Sequence, residues 1–151
     1  MNKLYATAIL AFTSLASAAM AQDMPLSEYK AAEKNIAAEY KAAKANCASF
    51  AGNAKDICMA EAKGRQKVAK TELKTRYKPS RKSDYEVAAA KAQADYTVAK
   101  EKCDDRAGKV KADCVKDAKA VLARAKSDAK SQLLITLSSD IKAHEGAEFV
   151  A

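Results

Sequence analysis

The sequence predicts an all-α protein built as two tandem disulfide-clasped helical hairpins in a four-helix arrangement, and three observations carry that expectation. First, the chain is internally duplicated. Residues 29–74 realign on residues 85–130 at a constant offset of 56, with 16 identities in 46 positions, among them Tyr29/Tyr85, Tyr40/Tyr96, Cys47/Cys103, Gly52/Gly108 and Cys58/Cys114. Second, Ala, Lys and Glu dominate both units and proline is absent from Tyr29 to Tyr77, which favours helix. Third, the small and apolar residues of unit one recur at Ile36, Tyr40, Ala43, Cys47, Ala51, Ala54, Cys58, Ala62, Arg65, Ala69 and Leu73. That is an eleven-residue repeat of about 3.67 residues per turn, and unit two repeats it from Ala92 through Tyr96, Cys103, Val110, Cys114 and Val121 to Ala129.

The N-terminal 21 residues read as a cleaved signal peptide. Lys3 precedes a run of small and apolar residues, ATAILAFTSLASA, and Ala19-Met20-Ala21 has the small-x-small form of a signal-peptidase site. Serines and a threonine interrupt the run, and it is shorter than the roughly 20 apolar residues that a bilayer span requires. The form of the leader points to the bacterial periplasm. No later segment is apolar enough to span, so no transmembrane segment is expected after cleavage. Without Lys3, the 27 Lys+Arg become 26 against 19 Asp+Glu, a formal charge of +7 on the remaining 130 residues.

Repeat one is expected over 22–77, with a helix starting near Ser27 and Pro25 just outside it. Gly52 and Gly64 are the only glycines in this unit; Gly52 suits a position just past a helix end, and Asn53 with Asp56 reads as an N-cap and its partner. A basic linker, 78–83, separates the repeats. Pro79 pushes Lys78 out of the helical region, and Ser80 or Ser83 can cap the next helix. Repeat two is expected over 84–142, followed by a C-terminal tail, 143–151.

Composition explains why such a chain needs covalent help. Tryptophan is absent and much of the apolar share is alanine, so little surface is buried per residue. In an oxidising compartment a disulfide closing a loop of about ten residues contributes ~2–3 kcal/mol. Two connectivities remain open. Cys47–Cys58 and Cys103–Cys114 would clasp a hairpin around Gly52 and another around Gly108. Cys47–Cys114 and Cys58–Cys103 would instead join the units into one long antiparallel two-helix hairpin turning at Pro79. A continuous helix would hold Cys47 and Cys58 about 16 Å apart, beyond any disulfide, so connectivity reports the fold.

Groups for chemistry are few. His144 is the only histidine and lies in the glycine-containing tail. The ten-residue gaps between cysteines are unlike the short spacing of zinc sites, and no C-x-x-C is present, so neither a metal nor another cofactor is expected. No nucleophile, base and cofactor loop recur together, so an enzyme is not expected. Tyr29, Tyr40, Tyr85 and Tyr96 fall on the small-residue stripe and read as packing residues. Two segments remain as interaction candidates. Lys74, Arg76, Lys78, Arg81 and Lys82 surround Tyr77 and Pro79 with five cations in nine residues, a cluster suited to phosphate-rich partners. Leu133 to Leu137, with Ile141, Phe149 and Val150, is the most apolar stretch after the leader, suited to closing the bundle or docking a partner.

The motif Tyr40-Lys-Ala-Ala-x(3)-Cys47-x(10)-Cys58, with Gly52-Asn-Ala-Lys-Asp56 inside and Ala60-Glu-Ala-Lys63 after, resembles small secreted Lys/Ala-rich proteins of Gram-negative bacteria often labelled TolA-like cell-envelope proteins. The likeness covers Tyr40–Lys63 and Tyr96–Lys119, and it implies residence in the envelope. The expected role is a non-enzymatic structural or interaction module of the periplasm, perhaps better described by its partner than by a reaction: an envelope protein or an anionic envelope polymer. The alternative is a polyanion-binding protein, for lipopolysaccharide, anionic lipid or nucleic acid, using the basic turn 74–82. A role in stress protection would fit the first reading.

Overall fold

The computed structural model describes residues 24–148, with side-chain surroundings given through residue 142; the leader, Phe149 and Val150 lie outside the described residues. Four helices account for nearly all of it: α1 Leu26–Cys47, α2 Gly52–Tyr77, α3 Arg81–Cys103 and α4 Gly108–Glu148. No strand occurs among the described residues. The disulfides are Cys47–Cys58 and Cys103–Cys114, with Cα–Cα separations of 5.6 and 5.7 Å, so each repeat is its own clasped hairpin and the crossed connectivity is not the one adopted.

Both clasps sit at one end of the molecule and the α2–α3 turn at the other, because the chain runs up, down, up, down. At the clasped end Cys47 and Cys103 are almost fully enclosed, at 0 % and 1 % exposure. Gly52 and Gly108 start α2 and α4 with φ of +55° and +54°, the left-handed region in which a Cβ is strained. Gly52 therefore turns the chain, although as the first residue of α2 and not as the residue closing α1.

Asn53 departs from its expected capping role. Ala51 is the N-cap of α2 and makes no side-chain cap bond; Asn53 Nδ2 instead donates to the Glu101 carbonyl oxygen at 2.8 Å, tying the start of α2 to the last turn of α3. Pro25, not Ser27, precedes the first helical residue of α1. At the opposite turn Lys78 leaves the helical region at φ −136°, and Ser80 and Ser83 form a reciprocal capping box. The Ser83 N–H donates to Ser80 Oγ at 3.0 Å and the Ser80 N–H to Ser83 Oγ at 2.8 Å.

The packing is serial. Contacts join α1 to α2, α2 to α3 and α3 to α4, and no others link these helices, so they form one open layer and not a closed bundle. Burial follows from this. Ala60, Ala62 and Leu73 of α2 and Ser83 and Ala90 of α3 are buried, whereas Cys47 is the only buried residue of α1. Tyr29, Tyr40, Tyr85 and Tyr96 are half-buried along the seams within each hairpin, as packing residues should be. Gly64 does not interrupt α2; it lies at the α2–α3 seam, where an added Cβ would stand 2.9 Å from Ala94 Cβ.

The duplication explains why the layer stops at four helices. The α2 positions facing α3 include Ile57, Ala60 and Val68; their counterparts on α4, 56 residues on, are Asp113, Lys116 and Arg124, all exposed. Likewise Ala90 and Thr97 of α3 correspond to Lys34 and Lys41 of α1. Charges at these edge positions would be desolvated by any fifth helix docking in the same way, at a cost of several kcal/mol. The repeats thus agree where hairpins close and differ where one seats two helices and the other faces water.

α4 is the longest element. It runs through Glu148, past residue 142 where a tail was expected to begin, and its 41 residues span about 60 Å against about 35 Å for the 23 residues of α3. Arg81, the first residue of α3, reaches Asp140 at 3.2 Å, so the remainder of α4 extends beyond its neighbour.

Candidate functional site

The basic turn is assembled at the end of the layer away from the disulfides. Lys74, Arg76, Lys78, Arg81 and Lys82 are all exposed, but the two arginines are engaged with acids of the outer helices. Arg76 lies 4.0 Å from Glu28 of α1, and Arg81 contacts Asp140 of α4 through Nε at 3.2 Å. Lys78 Nζ sits 5.8 Å from the centroid of the Tyr77 ring, while Tyr77 stacks at a tilt on Tyr29 with centroids 4.7 Å apart. The Tyr29 hydroxyl titrates above its ordinary range, first because partial burial disfavours the phenolate and then because the Glu33 carboxylate is beside it. The five cations are therefore not one cluster: the arginines brace the hairpins, and the lysines remain available.

A broader arrangement was not anticipated from the linear sequence. On α2, the stripe Ala62, Gln66, Ala69 and Leu73 faces α1, and the stripe Ile57, Ala60, Gly64 and Val68 faces α3. Between these stripes the helix shows two further sides, which become the two broad faces of the layer. On one face a crevice of about 510 Å³ between α2 and α3 is lined by Glu61, Arg65, Glu72, Lys91 and Asp95 over a floor that includes Val68, Ala94 and Val98. Arg65 pairs with Glu61 at 3.8 Å and Lys91 with Glu72 at 2.7 Å. On the other face, a crevice of about 480 Å³ between α1 and α2 is lined by Tyr29, Glu33, Lys67, Lys70 and Lys74.

Charge segregates between these faces, and the duplication preserves the segregation. Acids on the first face recur as acids: Glu39/Asp95, Glu61/Asp117 and Glu72/Asp128. Lysines on the second recur as lysines: Lys44/Lys100, Lys63/Lys119, Lys70/Lys126 and Lys74/Lys130. The signal that could have found this is the offset itself, read for charge sign and combined with helical phase. On the acidic face, the crevice within hairpin one, which includes Glu39, Tyr40, Ala43 and Ala62, has all eight of its lining residues shifted by 56 in the crevice of hairpin two, which includes Asp95, Tyr96, Ala99 and Ala118. These paired crevices place a tyrosine hydroxyl and a carboxylate over alanines and are open to solvent.

The apolar segment is only partly used in packing. Leu133 is half-buried against α3, while Leu134, Ile135, Leu137 and Ile141 are 41–60 % exposed. Phe149 and Val150 lie outside the described residues, and His144 belongs to the helical end of α4 whose side-chain surroundings are not described. Among the described residues no three His, Cys, Asp or Glu side chains converge as a metal-binding group, and no helix is long and apolar enough to cross a membrane. No protein-family model, curated protein or solved structure matches this chain.

Proposed function

We propose that this chain is a non-enzymatic interaction module of the bacterial cell envelope, exported to the periplasm and locked by its two disulfides, and that it belongs with the TolA-like envelope proteins it resembles. The observation that carries the reading is the open layer itself. Four helices held in series by small residues and two clasps leave both broad faces accessible, a construction suited to presenting surface and not to enclosing a substrate. The leader at 1–21 and the pairing of all four cysteines fit an oxidising destination. A structural role in protecting the envelope under stress is compatible with a rigid scaffold of this kind.

Fractionation of Gram-negative cells producing the full chain tests the proposal. The expected result is release by osmotic shock of a form beginning at Gln22, with no thiol reactive to alkylation. A cytosolic form with alkylatable cysteines would refute it, as would reproducible turnover by the purified protein.

The second reading is polyanion binding by the turn 74–82, with lipopolysaccharide, anionic lipid or nucleic acid as partner. The exposure of all five cations supports it. Substituting Arg76, Lys78, Arg81 and Lys82 by glutamine should then abolish a salt-sensitive retention on heparin; retention unchanged by these substitutions would rule the turn out.

A further inference from the structure

The lysine face of the layer and the exposed end of α4 share one side of the molecule. On α4, Lys119, Lys126, Lys130, Leu134, Leu137 and Ile141 follow one another at steps of 7, 4, 4, 3 and 4, which keeps them on one helical face. Lys126 fixes which side this is: its Nζ bonds Gln93 Oε1 of α3 at 3.1 Å, and Gln93 lies on the side of α3 opposite Asp95 and the acidic face. On α2 the same side carries Lys63, Lys67, Lys70 and Lys74, all exposed and none in an ion pair among the described residues. Basic columns on two helices thus lead, along α4, into an apolar stripe in a segment, 131–142, that carries one acid and one base.

We propose that this face docks on an anionic lipid bilayer, with the lysines on headgroup phosphates and Leu134, Leu137 and Ile141 seated at the boundary with the acyl chains. Charge complementarity identifies the partner as phosphate-rich. Lysines act as point charges without the bidentate fork that favours base recognition. The apolar stripe decides between phosphate-rich surfaces, because a bilayer offers hydrocarbon beneath its phosphates and a nucleic acid backbone does not. Exposed leucine and isoleucine at 54, 41 and 60 % would then be covered in use. The acidic face is repelled from the same surface, so the layer lies with one defined side down.

The inference rests on the envelope reading, and the two fail separately: fractionation tests residence, whereas vesicle binding tests this face. The experiment is co-sedimentation of the oxidised protein with phosphatidylglycerol/phosphatidylcholine vesicles and with pure phosphatidylcholine vesicles at two salt concentrations. Binding is expected to the anionic vesicles alone and to weaken steeply with salt. Each lysine near an anionic leaflet strengthens binding about fivefold, so Lys63→Gln/Lys67→Gln/Lys70→Gln should weaken it roughly a hundredfold. Arg76→Gln/Lys78→Gln/Arg81→Gln removes the same charge from the turn and should change it by less than about tenfold; Lys74, common to both regions, is left in place. Leu134→Gln/Leu137→Gln/Ile141→Gln should lose vesicle binding yet keep retention on heparin. Far-UV circular dichroism and disulfide mapping establish that each exposed-surface variant is folded. The proposal is overturned by absence of binding to anionic vesicles, by equal losses in the face and turn variants, or by vesicle binding indifferent to the three α4 substitutions. Equally tight binding to duplex DNA that ignores those three substitutions would assign the face to nucleic acid.

Discussion

Gly64 and Ala94 mark the closest approach of the two hairpins: a Cβ built on Gly64 would lie 2.9 Å from Ala94 Cβ and 3.5 Å from its Cα. Real methyl groups do not approach so closely, and both partners are held by helix backbone, so relief requires the helices to part. Gly64→Ala should lower unfolding stability by about 1–3 kcal/mol despite the better helix propensity of alanine. Thermal unfolding of Gly64→Ala, Ala94→Gly and the double variant checks this. Recovery in the double variant would locate the cost at the seam; an unchanged or raised midpoint in Gly64→Ala would contradict it.

The edge positions make a second prediction. Ala60, 6 % exposed, faces α3, and its counterpart Lys116 faces solvent. Ala60→Lys should destabilise by about 2–4 kcal/mol through overpacking and desolvation of the ammonium, whereas Lys116→Ala should fall within about 0.5 kcal/mol of the parent. Urea titration of both variants distinguishes an ordered layer with edges from a set of equivalent helices.

Asn53 supplies a third. Its donation to the Glu101 carbonyl connects the hairpins at the clasped end, and Asn53→Ala should cost about 1 kcal/mol by leaving that link unmade. The measurement that isolates it is hydrogen exchange at the α2–α3 seam, which should quicken near Ile57 and Val98 while protection at Cys47 and Cys114 is retained.

Tyr29 gives a pH dependence in the alkaline range. Its pKa is raised in the folded protein, first by burial and then by Glu33. The folded state therefore holds this proton more tightly than the unfolded chain. The associated stability is present below the ordinary tyrosine pKa and is lost as pH rises through the higher folded value. Ultraviolet titration should show one of the tyrosines ionising late, and Tyr29→Phe should remove that late step.

Removal of either disulfide is expected to cost ~2–3 kcal/mol in the chain-entropy description, given a separation of 11 residues in each. The Cys47→Ser/Cys58→Ser variant should lower the melting temperature and raise proteolysis of α1 before α4.

Much of this fold is legible from residues alone because the duplication and the helical period act locally. The four helices, the turn at Pro79 and the cap at Ser80 each depend on a few adjacent residues. What escaped the linear reading depends on distant partners. Asn53 looked like a cap because Asp56 follows it, yet its bond goes to α3, 48 residues away. Gly64 looked like a weakness in a helix because Ala94 was not in view. The five cations at 74–82 looked like one cluster because Glu28 and Asp140 are far off in sequence. Charge segregation was recoverable, since it needs only the offset of 56 and the helical phase, but it becomes meaningful once the helices are known to form a single layer.

The pairing of each cysteine with the next one along the chain also sets an order of assembly. A polypeptide emerging N-terminus first presents Cys47 and then Cys58, with no later thiol yet available to compete, and repeats the sequence at Cys103 and Cys114. Joining thiols in order of appearance makes the native bonds directly, so maturation needs an oxidant but no reshuffling. The first hairpin can be complete before the second has emerged.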